Sequence, residues 1–292
     1  MGTFDAPWCA RHGLEMDDAF YEDVEGWSGP GRLLRVRGSV EAGVPVLITH
    51  GTFSDASTCV PIAHFFGQLR PTYVIEWRAR DIGWGHVQRF DYTDLAMDEL
   101  CTAFAHVQAL HGGSVHFVAH SGGGLAVLLA LALKPDVAQM LRSMTIIAAQ
   151  ATWRNPDWRS RVSVAGMERL GRRIGYWPKR FLPIGPCSEA GTLKSNWVSW
   201  TKAGCIFDRD RRDVLAMVRG QKVPSLVLAG AADHDIAPPH ACQPIAAALG
   251  AQFEVCGTAT GHGEDFTHPR IFKSRAAAQT VFPMIADWIA AQ

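Results

Sequence analysis

The chain has 292 residues, 48% hydrophobic and 19% charged, which suits one buried core of about 220 residues plus an insertion and leaves little room for two unrelated domains. Lys plus Arg equal Asp plus Glu at 28 each, a balance that excludes a general nucleic-acid binder. Seven scattered cysteines without a C-x-x-C pair exclude a disulfide framework and fit free thiols in the cytoplasm, the expected location.

Residues 1–31 carry little periodicity, and Gly26, Gly29, Pro30 and Gly31 mark turns in what reads as an N-terminal arm. The first residues lack a basic patch followed by an apolar stretch, so no secretory signal is expected. Arg32 to Arg37 alternates apolar and charged residues, as an edge or antiparallel strand does. Val44 to Thr49 is a buried strand that runs into His50-Gly51-Thr52-Phe53. A helix over Pro61 to Leu69, a strand over Thr72 to Trp77 and an amphipathic helix over Tyr92 to Leu110 follow, the last halted by Gly112-Gly113.

Val115 to Ala119 then predicts a buried parallel strand, and Leu125 to Leu133 a helix covered on every side, stopped by Lys134-Pro135. Between them stands Ala119-His120-Ser121-Gly122-Gly123, the layout G-x-S-x-G with alanine in the first slot. A serine at the tip of a sharp strand-to-helix turn needs neighbours two before and two after with almost no side chain, which this spacing provides. The most apolar stretch, Val115 to Leu133, is interrupted by His116, His120, Ser121 and three glycines, so no stable membrane insertion is expected.

Met140 to Ala148 is a further strand, after which the character changes. Thr152 to Lys222 holds five of the ten tryptophans (Trp153, Trp158, Trp177, Trp197 and Trp200) and 15 Lys or Arg against 6 Asp or Glu. This basic, Trp-rich segment reads as an inserted helical cap over an acidic core of residues 32–151 and 223–292. Its tryptophans can either glue the cap down or line an apolar pocket. Its charge can form a solvated face that complements the core or steer an anionic substrate.

The sheet resumes at Pro224 to Gly230 and runs into Asp233-His234-Asp235; a helix over Pro239 to Leu249 follows, then a last strand, Gln252 to Cys256, leading to Gly257-Thr258-Ala259-Thr260-Gly261-His262-Gly263, and a closing helix over Ala276 to Ala290. Ser121, Asp233 and His262 thus each lie just past the carboxyl end of a strand. Those ends share one edge of an open parallel sheet, where ligands bind. A serine hydroxyl becomes a nucleophile only with a base to take its proton and an acid to orient that base. His262 is preferred to His268 and His240 as the base because it alone sits in a glycine-flanked turn directly after the last strand. Backbone N–H groups after His50 and at Gly122 complete the set as an oxyanion hole; His50 itself reads as a loop brace.

These four elements together resemble the α/β-hydrolase superfamily, in its esterase and lipase-like branch, from about Leu33 to the C-terminus. The resemblance implies an α/β fold with a mostly parallel central sheet, helices on both faces and an inserted cap. It implies Ser121, Asp233 and His262 as the catalytic triad, with Asp235 as the alternative acid, and the backbone of Thr52 and Gly122 as oxyanion donors. The expected activity is hydrolysis of a moderately hydrophobic small-molecule carboxylic ester through an acyl-enzyme on Ser121, without cofactor or metal. The same triad could instead act on a thioester, a lactone or a C–C bond, or the fold could serve as a ligand receptor. Serine at the elbow argues against epoxide hydrolase and haloalkane dehalogenase chemistry, where an aspartate stands. Ala119 and the Glu76-Trp77-Arg78 segment depart from the common pattern.

Overall fold

The computed structural model describes residues 20–79, 90–154 and 185–292, together with residues 156, 157, 162, 165, 166, 169, 173 and 175–177. The first part of the N-terminal arm, Trp158 and the Arg172, Lys179 and Arg180 positions lie outside the described residues.

Eight strands form one sheet in the order β1-β2-β4-β3-β5-β6-β9-β10, where β1 is Tyr21–Asp23, β2 Arg32–Val36, β3 Val46–Thr49, β4 Thr72–Glu76, β5 Val115–His120, β6 Leu141–Ile147, β9 Ser225–Gly230 and β10 Gln252–Cys256. The β1–β2 and β2–β4 pairs are antiparallel and all others parallel. The expected α/β architecture is therefore present, and β1 adds to it an edge strand that the weakly patterned arm did not announce. Every residue of β3, β5 and β9 is buried, which is why these strands read as continuous apolar runs rather than alternating ones.

The helices that cover the faces are α1 (Val60–Gly67), α2 (Cys101–His111), α3 (Gly122–Leu133), α4 (Gly191–Ala203), α5 (Pro239–Leu249) and α6 (Arg275–Ala290). The stretch Tyr92 to Leu110, expected as one helix, contains a π-helical segment, Leu95–Leu100, ahead of α2. Gly112 ends α2 in the left-handed conformation (φ 68°), a state that glycine enters without steric penalty. The helix α3 is buried on all sides. No helix among the described residues is long and apolar enough to cross a membrane.

Registers place the strand ends together: Thr49 lies opposite Ala119, Ala119 opposite Ile146, Ile147 opposite Leu228, and Gly230 opposite Cys256. One edge of the sheet thus gathers the loops that follow β3, β5, β6, β9 and β10. Between β6 and β9 the chain leaves this sheet and contributes a small two-stranded ribbon, β7 (Tyr176–Trp177) with β8 (Glu189–Ala190), and then α4. Its positive charge meets the acidic core directly: Arg209 donates to both oxygens of Asp91 and pairs with Asp94 at 2.7 Å. Those two aspartates form the capping box that starts the Tyr92 turn.

Inside the sheet, His116 is 2% exposed and its Nδ1 lies 2.7 Å from Ser143 Oγ on β6. Burial, helped by the charges of Arg70 and Arg142, pushes its pKa from 6.5 down to about 4. The folded state therefore excludes a proton that the unfolded chain binds below about pH 6.5, so this contribution is complete above that pH and is lost as the pH falls toward 4. We expect the urea midpoint to fall between pH 6.5 and 4.5, and less steeply in His116→Asn, with a difference of at most about 1.4 kcal/mol per pH unit; equal slopes would refute the assignment.

Candidate active site

Ser121 is the residue between β5 and α3, at φ 51° and ψ −115°. A non-glycine residue at positive φ is strained and persists only where its surroundings over-determine it. Here the Ser121 N–H donates to Ile147 O at 2.8 Å, and Gly124 N–H donates back to Ser121 O at 2.9 Å. The neighbours leave no room for side chains: a Cβ on Gly51 would fall 2.8 Å from Ser121 Cβ, and one on Gly123 would fall 2.4 Å from Thr49 Cγ2. The Ala119 methyl, by contrast, lies 3.5 Å from where a Gly123 Cβ would be, ordinary van der Waals distance. Alanine therefore fits the first slot without crowding Gly123, whose missing side chain makes room for Thr49 and the His50 carbonyl instead.

The structure brings Ser121 and Asp233 together through His268. His268 Nε2 stands 3.0 Å from Ser121 Oγ and its Nδ1 2.7 Å from Asp233 Oδ2. The expectation that His262 meets Ser121 does not hold. Its backbone N–H closes the turn on Gly257 O, and its ring packs edge-on against Phe266. The glycine-rich turn is a self-contained knot, tied by Asp265 Oδ1 accepting from the Thr258 N–H and hydroxyl and by Thr260 Oγ1 accepting from Gly257 N–H. Beyond it, Phe266 is fully buried and its carbonyl accepts from Ala232 N–H at 3.0 Å, which docks the returning chain on the end of β9. Two residues later His268 reaches the carboxylate. The missed signal is a buried aromatic two residues ahead of His268-Pro269, where the chain must return to the sheet edge.

Asp233 is 3% exposed, and its Oδ1 accepts from the N–H groups of Ile236 and Ala237 at 3.2 and 3.1 Å. Burial alone would raise its pKa; the His268 hydrogen bond and charge, with the two amides, outweigh burial and hold it below the usual carboxylate value. Asp235, the alternative acid, is exposed and makes no bond to a histidine among the described residues. A second imidazole supports the first: His120 Nε2–H donates to His268 O at 3.0 Å, while its ring stacks on Phe272 at 4.7 Å and lies 4.9 Å from the His268 ring. Desolvation, with the neighbouring His268 charge, pushes His120 down to about 3, so it is neutral near pH 7.

Gly122 opens α3, and the N–H of a first helical residue has no intrahelical acceptor. A Cβ there would lie 3.1 Å from Thr52 N, so the first residue of α3 packs closely against the Thr52 backbone beside Ser121. Phe53, the following residue, has its N–H occupied by Glu189 Oε2 at 2.9 Å. Glu189 is fully buried on β8, and Cys187 N–H also donates to Phe53 O. The segment entering α4 thereby clamps the Thr52 loop. His50 acts as the expected brace: its Nδ1–H donates to Gly51 O at 2.8 Å and its Nε2 accepts from Trp77 N–H at 3.2 Å. Trp77, in the departing Glu76-Trp77-Arg78 segment, is buried with Nε1–H on Thr49 Oγ1, and Arg78 pairs with the buried Glu99.

A cavity of ≈ 260 Å³ opens above Ser121 and His268, its apolar wall formed by Leu125, Trp153, Trp197, Val198 and Phe272. The tryptophans divide between the two roles. Trp153 and Trp197 face the cavity, whereas Trp200 is 2% exposed and packs on Tyr92 with Nε1–H on Phe207 O. Among the described residues no three His, Cys, Asp or Glu side chains converge as a metal-ligand set.

The sheet order, the strained serine and the loops gathered at one edge agree with the family comparison: residues 46–275 match the model of the Alpha/beta hydrolase family, and the chain belongs to that family. No curated protein sequence matches it significantly. Its fold is similar to that of a thermophilic esterase from Thermogutta terrifontis (TM-score 0.58, 17% identity, covering 94% of this chain and 99% of that one). It is also similar to a monoacylglycerol lipase from Paleococcus ferrophilus (TM-score 0.59, 17% identity, 89% and 98%) and to a structure of the metagenome-derived lipolytic enzymes LipS and LipT (TM-score 0.64, 14% identity, 90% and 98%).

The dock between β9 and the His268 loop tolerates no side chain, since a Cβ on Gly230 would stand 2.3 Å from Phe266 O. Gly230→Ala should destabilise the protein by about 1–3 kcal/mol and speed hydrogen exchange at Ala232 N–H; unchanged protection of that amide would contradict the dock.

Proposed function

We propose that the protein is a serine hydrolase of carboxylic esters that works through an acyl-enzyme on Ser121, with His268 as general base and Asp233 as the acid that orients it. The observation that carries this reading is the continuous hydrogen-bond chain from Asp233 through His268 to Ser121, 2.7 and 3.0 Å per link, at the floor of an apolar cavity. The family assignment supports a hydrolase.

In the first half-reaction His268 Nε2 takes the Ser121 proton as Oγ attacks the ester carbonyl carbon. The negative charge that moves to the carbonyl oxygen is met by the N–H groups of Thr52 and Gly122, each such donor worth about 3 kcal/mol in the barrier. Collapse of the tetrahedral adduct breaks the C–O bond to the alcohol, which leaves with the proton from His268. Water then repeats the sequence on the acyl-enzyme and releases the acid. Asp233 stays ionised throughout, keeps Nδ1 protonated and stabilises the transient imidazolium. Residues 152–222 serve as the lid over a moderately hydrophobic small ester, with Trp153 and Trp197 in its inner wall.

A fluorophosphonate should modify Ser121 stoichiometrically, and Ser121→Ala should lower kcat on p-nitrophenyl acyl esters by roughly a thousandfold or more with the fold intact. Full activity in that variant would reject the mechanism. His268→Ala should match the serine variant, while His262→Ala should stay within about threefold of the parent; the reverse pattern would return the base role to His262.

A further inference from the structure

The helix α4 places Lys194, Trp197, Val198, Thr201 and Lys202 along the cavity. Their spacing of three and four residues defines a single helix face, so the helix lays one continuous stripe over the site, apolar in the middle and cationic at both ends. A third ammonium, Lys273, comes from the short helical turn Arg270–Lys273 that follows His268, and also lines the cavity.

Lys194 and Lys273 form no ion pair among the described residues. Lys194 Nζ instead lies 4.2 Å from the centre of the Trp197 ring, an interaction that holds a cation without neutralising it. Three carboxylates stand near these lysines, and each is placed elsewhere. Glu189 is fully buried with its oxygens on the N–H groups of Phe53 and Ala190. Asp55 accepts from Ser57 and from Cys187 Sγ, and reaches Lys273 only as a longer-range charge. Asp235 is exposed at the rim. Lys194 is partly accessible because the cavity is open, yet it is surrounded deeply enough that desolvation brings its pKa down to about 8. It remains mostly protonated at pH 7, and desolvation also lowers Lys273. Two partly desolvated cations with no carboxylate in contact in one substrate cavity are costly unless the ligand brings a compensating charge.

We infer that the substrate is an ester that carries a second, anionic group, a carboxylate or a phosphate, and that Lys194 is the residue that selects it, with Lys273 adding to the attraction. The inference rests on the hydrolase reading for the ester and on the cavity's own charges for the anion. The size of the cavity, ≈ 260 Å³, favours a compact ligand over a long acyl chain.

Binding and turnover test it separately. On Ser121→Ala, calorimetry should show adipate or glycerol 3-phosphate binding at least tenfold more tightly than neutral adipamide, and the better of the two identifies the anion. Adding Lys194→Met should reduce the preference to less than threefold, and Lys194→Arg should restore most of it. In the parent enzyme, kcat/KM for monomethyl adipate, or for an acyl ester of glycerol 3-phosphate, should exceed that for the matched uncharged ester by tenfold or more. That ratio should collapse in Lys194→Met. Equal binding of adipamide and both anions, or a ratio that Lys194→Met leaves unchanged, overturns the inference while leaving ester hydrolysis standing. Lys194-dependent anion binding without turnover of any ester would instead reject the hydrolase reading and keep the anion site.

Discussion

The positive φ of Ser121 is the constraint on which the rest of the site depends. An L-residue enters that conformation against its own sterics, so the protein must supply compensation from outside the turn. It does so with a parallel strand on one side, whose Ile147 carbonyl takes the serine N–H, and with neighbours that have shed their side chains, Gly51 and Gly123. The same crowding lifts the hydroxyl clear of the sheet edge. It also brings the first residue of α3 close to the Thr52 backbone. The position of the hydroxyl and the close approach of the Thr52 loop thus follow from one backbone state.

The basic excess of the inserted segment finds its counterpart in the acidic core. Arg209 reaches across to the aspartates that cap the Tyr92 turn, and the segment leading to α4 is anchored to the Thr52 loop by Glu189. Part of the charge pattern is therefore internal complementarity. Lys194 and Lys202 of α4 instead line the cavity, where Lys273 of the core joins them.

Much of the fold was legible because each parallel strand is apolar along its length and ends in small or polar residues. The helix Pro239–Leu249 and the strand Gln252–Cys256 were readable to the residue, since proline, glycine and a change of polarity mark their ends. The strand β1 was not readable, because three residues at a sheet edge carry too little pattern. In the site, the serine turn and the acid loop follow from local chemistry: glycines at fixed offsets in one, a short loop after a buried strand in the other. The histidine does not. Its position depends on how residues 257–267 fold, and the decisive link is a backbone bond from Ala232 to Phe266, whose buried ring is the one local sign of the dock. Glycines around His262 signalled a turn, and a turn is what they make, closed on itself and away from the serine.

Two imidazole rings stand 4.9 Å apart beside Ser121, tilted by 47°, and only one of them bonds to the serine. His120 is sealed between Phe272 and its neighbour and gives its only N–H to the carbonyl of His268. Its remaining nitrogen resists protonation through the physiological range. A second cation adjacent to His268 would disfavour positive charge on that ring. By keeping one imidazole electrically silent, the fold makes His120 a mechanical strut for the ring beside it.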